Sequence, residues 1–378
     1  MNLLYDLWLH DICEFDPKKV DKCLYIFENA YNVFHSKPYS IDRIRALGLS
    51  GFLSCPKDLS NAERILSDCR EKDIHIITID DEDYPALLRE IFLPPRILFV
   101  KGSIKNFNDY FPVSIVGTRH STSNGNLFVR NLSEKLVKDN NIIIISGMAE
   151  GIDTQAHKGA LSGGGKTIAV LAGGVDIIYP PSNRRLYYEI LQNGAVISEK
   201  PPGTIGKPYF YNMRNRIIAG LARAVVIAEG SYKSGARFTA EHAVENNRDV
   251  FAVPSNPMAV QSQLPNRLIK EGAQVVLKAE DIIEQYFDVY PEYFNININN
   301  NICENKTSLL DKLTQEERKI VECIIQKGGK AHIDELADSL NMSINSLNAT
   351  LTVLLIKEIL YQETQNEYLL KEVEYFAN

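Results

Sequence analysis

The chain has 378 residues, 45% hydrophobic and 24% charged, with a net charge of −7; this is ordinary usage for a soluble globular protein, with room for two or three domains. Its first residues lack a basic stretch followed by an apolar one, and no apolar run is long enough to cross a bilayer. Secretion and membrane insertion are therefore not expected, and the cytoplasm is. Six scattered cysteines form no CxxC pair, which predicts reduced thiols and neither disulfides nor a zinc site.

Residues 1–75 alternate short apolar helical patterns with polar breaks, and Ile41–Leu49 reads as a helix ending in a glycine turn. A small helical domain of the SAM or helix-hairpin-helix kind fits this pattern. Ile74–Ile79 and Arg96–Val100 read as strands separated by a proline-marked segment. From residue 113 the pattern changes. Val113–Gly117, Ile142–Ser146, Thr167–Leu171, Ala195–Ser198, Ala224–Ala228 and Val250–Val253 are short, β-branched and almost wholly apolar. Such runs suit parallel strands buried on both faces. Helical patterns lie between them, at Asn124–Val137, Ile152–Leu161, Arg184–Gln192 and Thr239–Asn246. The alternation predicts an α/β fold with a doubly wound parallel sheet over residues 76–288, with ligands binding beyond the carboxyl ends of its strands. Residues 289–310 read as an Asn-rich linker. Over 311–378, three helical patterns and a two-strand ribbon give a winged-helix outline.

The charge is unevenly spread. Residues 112–287 hold 19 Lys and Arg against 15 Asp and Glu, a balance of +4, and the remainder carries −11. A basic patch in an acidic chain marks a local polyanion site. The winged-helix region holds seven basic and twelve acidic residues, the wrong sign for duplex DNA, so a protein-contact or structural role is expected there.

Four loops follow the apolar runs: Gly117-Thr118-Arg119, Ser146-Gly147, Gly173-Gly174 ahead of Tyr179-Pro180-Pro181, and Ser234-Gly235. Small residues at strand ends let backbone amides approach an anion. Tyr211–Gly220 opens a helix with Arg214-Asn215-Arg216, and guanidiniums near a helix start make an anion clamp. The predicted phosphate-binding set is therefore Arg119, Arg214 and Arg216, with Asn215 and the loops carrying Gly117, Thr118, Ser146, Gly147, Gly173, Ser234 and Gly235. Arg237 and Lys270 are expected as rim charges, and Tyr211 or Phe238 as a stacking surface for bases. Gly163–Thr167 resembles part of a P-loop but lacks its first glycine and precedes a strand when it should follow one. Asp153 and His157 share a helix face; with no third ligand and no nearby Ser or Cys nucleophile, structural hydrogen bonding is expected of them. No metal, cofactor or catalytic group is expected.

In these motifs the chain resembles the DNA-processing protein A (DprA/Smf) family over roughly Tyr84 to Val276. Carriers are Ile115–Arg119, Ser146–His157, Thr167 to Tyr179-Pro180, Ser198-Glu199, Arg214–Leu221 and Ser234-Gly235 through Thr239-Ala240, in order. The pattern departs at Ser255, near Leu264, and at Arg237-Phe238. The resemblance implies an extended Rossmann domain that binds single-stranded DNA, forms a homodimer, and helps load the RecA recombinase during natural transformation. A competing reading is a Rossmann nucleotide phosphoribohydrolase of the lysine-decarboxylase-like type, echoed by Gly230, Gly235, Thr239 and Glu241, with Glu241 as its carboxylate.

Overall fold

The computed structural model describes residues 3–36, 57–294 and 313–370, apart from 328, 341, 358 and 365. The helix expected at Ile41–Leu49, two of the cysteines (Cys55 and Cys303) and most of the expected linker lie outside the described residues. The chain divides into two compact units, Met1–Phe294 and Asn295–Asn378.

The first unit begins with helices α1 (Leu3–Ile12), α2 (Pro17–Phe27), α3 (Ala30–Phe34) and α4 (Ser60–Glu71). Local chemistry fixes the start of α2: the Asp16 side chain accepts from Lys18 N and Pro17 occupies the first turn, where no amide hydrogen is needed. Strands β1 (His75–Thr78) and β2 (Ile97–Gly102) flank a short helix, α5 (Ala86–Arg89). Alternation then sets in: β3 (Phe111–Val116), α6 (Ser123–Val137), β4 (Ile142–Ser146), α7 (Ile152–Ser162), β5 (Lys166–Val170), α8 (Arg184–Gln192) and β6 (Gly194–Ser198). It continues through α9 (Pro208–Leu221), β7 (Ala224–Ile227), α10 (Ala236–Glu245), β8 (Asp249–Ala252), α11 (Gln263–Lys270), β9 (Gln274–Val275) and α12 (Ala279–Phe287).

Among the described residues these strands form one sheet in the order β1-β2-β6-β5-β4-β3-β7-β8-β9. From β6 to β9 neighbouring strands are parallel. The edge made by β1 and β2 is antiparallel, both within itself and against β6. The sheet is therefore mixed, with the doubly wound part confined to residues after 110. Both faces are covered, which is why the strands read as unbroken apolar runs. Ile97 and Phe99 enter one cluster with Leu7, Trp8 and Leu186, while Leu98 and Val100 enter the opposite one with Ile217 and Ile218. Each such side chain, fully buried, contributes roughly 1.5–3 kcal/mol. The N-terminal helices thus share a hydrophobic cluster with the sheet across the boundary expected at 75. At the other end the unit runs to Phe294, into the segment expected as linker: Phe294 is buried, and its ring lies 5.1 Å from that of Phe111.

The second unit contains α13 (Gln315–Gln326), β10 (Lys330–His332), α14 (Ile333–Leu340), α15 (Ile344–Ile356), β11 (Leu360–Thr364) and β12 (Glu367–Leu370). A Thr314–Glu317 capping box opens α13. Strand β12 pairs antiparallel with both β10 and β11, and the core is built on Ile320, Ile324, Leu336, Leu351 and Leu354.

Candidate nucleic-acid interface

Strand order locates the site. From β3 the chain winds through β4, β5 and β6 to one side, and β7, β8 and β9 lie on the other. Connections leave β3 and β7 in opposite directions, so a crevice opens beyond their carboxyl ends. Val116 and Ile227 are register partners, so the Gly117–Thr122 and Ala228–Gly235 loops emerge side by side. Thr118 N donates to Glu229 O at 2.8 Å, and Ile152 N donates to Thr118 O at 3.3 Å, which ties in the loop after β4. Gly151 makes that approach possible. Its φ is +78°, and a Cβ there would lie 2.4 Å from Thr118 O.

Two joined recesses result, sharing Arg119, Ala149 and Tyr211 in their walls. One, of about 340 Å³, lies over β3 and β7 and includes Gly117, Thr118, Arg214, Asn215, Ser234 and Gly235. Its neighbour lies over β4 and β5 and includes Gly147, Glu150, Leu171, Gly173, Tyr179 and Pro180. At the shared wall the exposed Arg119 guanidinium sits over the Tyr211 ring, 5.2 Å from its centroid. The Tyr179 ring is 6.3 Å from Tyr211, inclined at 61°. A cation and two rings at one mouth offer phosphate and base surfaces together.

Beneath the loops lies a buried polar layer. Asp153, near the start of α7, accepts from Gly147 N at 3.1 Å and Ala149 N at 3.4 Å. Burial raises its pKa, while the Arg214 guanidinium and the loop amides pull it back. Arg214 donates from Nη1 to Val170 O at 2.5 Å, and burial lowers its pKa, offset mainly by Asp153. The guanidinium fills the space under Gly147, where a Cβ would lie 1.9 Å from Nη1. Any side chain at 147 would displace a buried charge. Asn215 holds the far wall, donating to Gly235 O at 3.2 Å. His157 does not bond to Asp153; its Nδ1 meets Thr167 Oγ1 at 2.7 Å. That hydroxyl spends its proton on Ile144 O, so Nδ1 carries the imidazole hydrogen and donates.

The structure therefore brings together Gly117, Thr118, Arg119, Gly147, Gly173, Arg214, Asn215, Ser234 and Gly235 around the recesses. Five predicted residues stand elsewhere. Ser146 is buried and donates to Ile115 O at 2.6 Å, stitching β4 to β3. Arg216 is 5% exposed and forms an ion pair with the buried Glu199 beneath the site, so a clamp of three surface guanidiniums is corrected to Arg119 at the mouth and Arg214 in the floor. Arg237 pairs with Glu241 at 3.2 Å on α10 and lines a separate recess against α11. Lys270 is exposed at the end of α11 and lines neither cleft recess. Phe238 stacks with Arg237 and also lies outside the cleft. The sequence reading missed Glu150, Tyr179 and the floor role of Asp153; the Tyr-Pro-Pro run after Gly173-Gly174 was the available signal for the second. Among the described residues no cluster of His, Cys, Asp or Glu could hold a metal ion, and no helix is long and apolar enough to cross a membrane.

The family model for DNA recombination-mediator protein A matches residues 75–287. Protein Smf of Synechocystis is 38% identical over 263 residues, covering 68% of this chain and 66% of that protein. The X-ray structure of DNA processing protein A from Streptococcus pneumoniae superposes with a TM-score of 0.63 at 32% identity, over 75% of this chain and 97% of that one. DNA processing protein A from Helicobacter pylori, solved for its single-stranded DNA binding mode, gives a TM-score of 0.52 at 27% identity, over 57% and 96%. The chain belongs to the DNA recombination-mediator protein A (DprA/Smf) family.

Proposed function

We propose that this chain binds single-stranded DNA in the cleft at the β3/β7 switch point and acts as a recombination mediator. The observation that carries the reading is the Arg119 guanidinium over the Tyr211 ring, at the mouth of recesses floored by a buried Arg214. Phosphates meet Arg119 and the loops around the amino end of α10, and a base lies against Tyr211 and Tyr179. In a duplex the base faces are stacked and unavailable, so the single strand is the better ligand. The single-stranded DNA binding described for the Helicobacter pylori relative supports the same ligand.

The role is binding and not bond cleavage. Glu241, the carboxylate that a phosphoribohydrolase reading needs, is half-exposed, engaged by Arg237 and absent from the cleft walls. The reading includes two partners implied by the family resemblance, the RecA recombinase and a second copy of the chain, and a cytoplasmic setting. Anisotropy titration of labelled single-stranded and duplex oligonucleotides of equal length, at several salt concentrations, tests it. The single strand should bind more tightly, with log affinity falling by about 0.7 per phosphate neutralised for each unit of log salt. Equal or tighter duplex binding overturns the proposal.

A further inference from the structure

Glu150 is the anomaly of the cleft: an exposed carboxylate in the wall of a recess assigned to a polyanion. Against phosphate it would only repel. Its surroundings are those of a base. The recess also holds Leu171, Ile177, Pro180, Tyr179 and Tyr211, apolar and aromatic surfaces suited to the faces of a flat heterocycle. Glu150 supplies acceptor oxygens at the edge.

The side chain is also held in place. Ser182 Oγ donates to Glu150 Oε1 at 2.7 Å, which leaves Oε2 and the second lone pair of Oε1 for a ligand. Asn183 Nδ2 donates to Met148 O at 2.9 Å, so the loop carrying Tyr179 is bonded to the loop carrying Glu150 at two points. The backbone is specified as well: Met148 sits at φ +56° and Gly151 at φ +78°, and Asp153 accepts from the Gly147 and Ala149 amides.

Resting on the single-strand reading of the cleft, we propose that Glu150 is a specificity-determining residue that favours guanine in the Tyr179–Tyr211 recess. Guanine presents two adjacent donors, N1–H and the 2-amino group, which match the two oxygens of a carboxylate. Cytosine and adenine present one amino donor beside an acceptor nitrogen. Thymine presents N3–H between two carbonyls, which a carboxylate repels. That edge is free in a single strand and occupied in a duplex, so the same residue also sharpens the choice of strand.

The test uses the full chain and two labelled oligonucleotides of equal length, one all thymidine and one with guanine at every fourth position, with a third carrying hypoxanthine in place of guanine. The wild type should bind the guanine strand at least about fivefold more tightly than the thymidine strand, the span expected of a paired hydrogen-bond contact. Hypoxanthine, which lacks the 2-amino group, should fall between them. Glu150→Ala should bind all three strands alike while still binding thymidine. Equal wild-type affinity for guanine and thymidine strands overturns this inference alone. A preference that survives Glu150→Ala removes Glu150 from it. Failure to bind any strand overturns the single-strand reading itself.

Discussion

Arg216 and Glu199 give the sharpest separation between residues that build the cleft and residues that touch DNA. Both side chains are almost fully enclosed, at 6% and 9% exposure, and they face each other. The ion pair is made through Nη2, and Arg216 Nε and Nη1 have no hydrogen-bond partner, so Glu199 is what compensates that buried charge. Glu199→Gln leaves the guanidinium uncompensated, and breaking a buried pair from one side costs about 3–5 kcal/mol. For a unit of this size that lowers Tm by roughly 5–8 °C. Replacing both partners, as Arg216→Met with Glu199→Leu, should recover most of the loss, because an apolar pair of similar volume avoids the desolvation cost altogether. The assay is thermal and denaturant unfolding of the three variants beside wild type, together with oligonucleotide affinity of whatever fraction remains folded. The double variant should bind DNA within about threefold of wild type. The reasoning is refuted if Glu199→Gln unfolds like wild type while Arg216→Ala stays stable and loses DNA, since Arg216 would then be a contact residue.

Two further outcomes follow from the buried layer. Gly151→Ala introduces a Cβ 2.4 Å from Thr118 O at a positive φ, so it should destabilise by about 2 kcal/mol or more and weaken DNA binding through the displaced Arg119 loop; denaturation and anisotropy on the same sample check both. His157 is held neutral, its pKa lowered to about 3 chiefly by burial and then by Arg214, whereas the unfolded chain protonates near 6.5. Between those values the unfolded state carries the extra proton, so this group's share of stability is complete above pH 6.5 and is lost as pH falls, by up to about 1.4 kcal/mol per pH unit. His157→Gln should flatten the acid limb of a stability–pH profile; an unchanged slope contradicts the assignment.

Much of the sheet was legible because its chemistry is local. Ile142–Ile145 and Ala224–Ile227 are apolar at every position and Val113–Val116 at every position but Ser114, which suits strands covered on both faces and little else. Strand order is a long-range property, so the junction of β3 with β7, and with it the centre of the cleft, could not be read from any one run. The antiparallel edge was equally hidden, since Ile97–Val100 is as apolar as the parallel strands. The arginine clamp failed for a reason the helix period already contains. Arg214 and Arg216 are two residues apart, about 200° around α9, so one helix cannot turn both toward the same cleft. Loop glycines were informative because their spacing to strand ends is local. Glu150 and Asp153 were not, because their roles arise only when the loops after β3, β4 and β5 are brought together; Tyr179 carried a local signal only in its Tyr-Pro-Pro run. The buried Asp153 and His157 did prove structural, but through Gly147, Ala149 and Thr167 and not through each other.

Arg119 at the cleft mouth is the residue on which single-strand binding depends most. Oligonucleotide affinity measured across a salt series for Arg119→Ala and for Arg237→Ala, each an exposed arginine on the same unit, tests this directly. Arg119→Ala should fold as wild type, bind single-stranded DNA roughly tenfold more weakly and lower the salt slope by about 0.7, while Arg237→Ala stays within about twofold. Wild-type affinity and slope in Arg119→Ala, or the larger loss in Arg237→Ala, would contradict the assignment of the cleft.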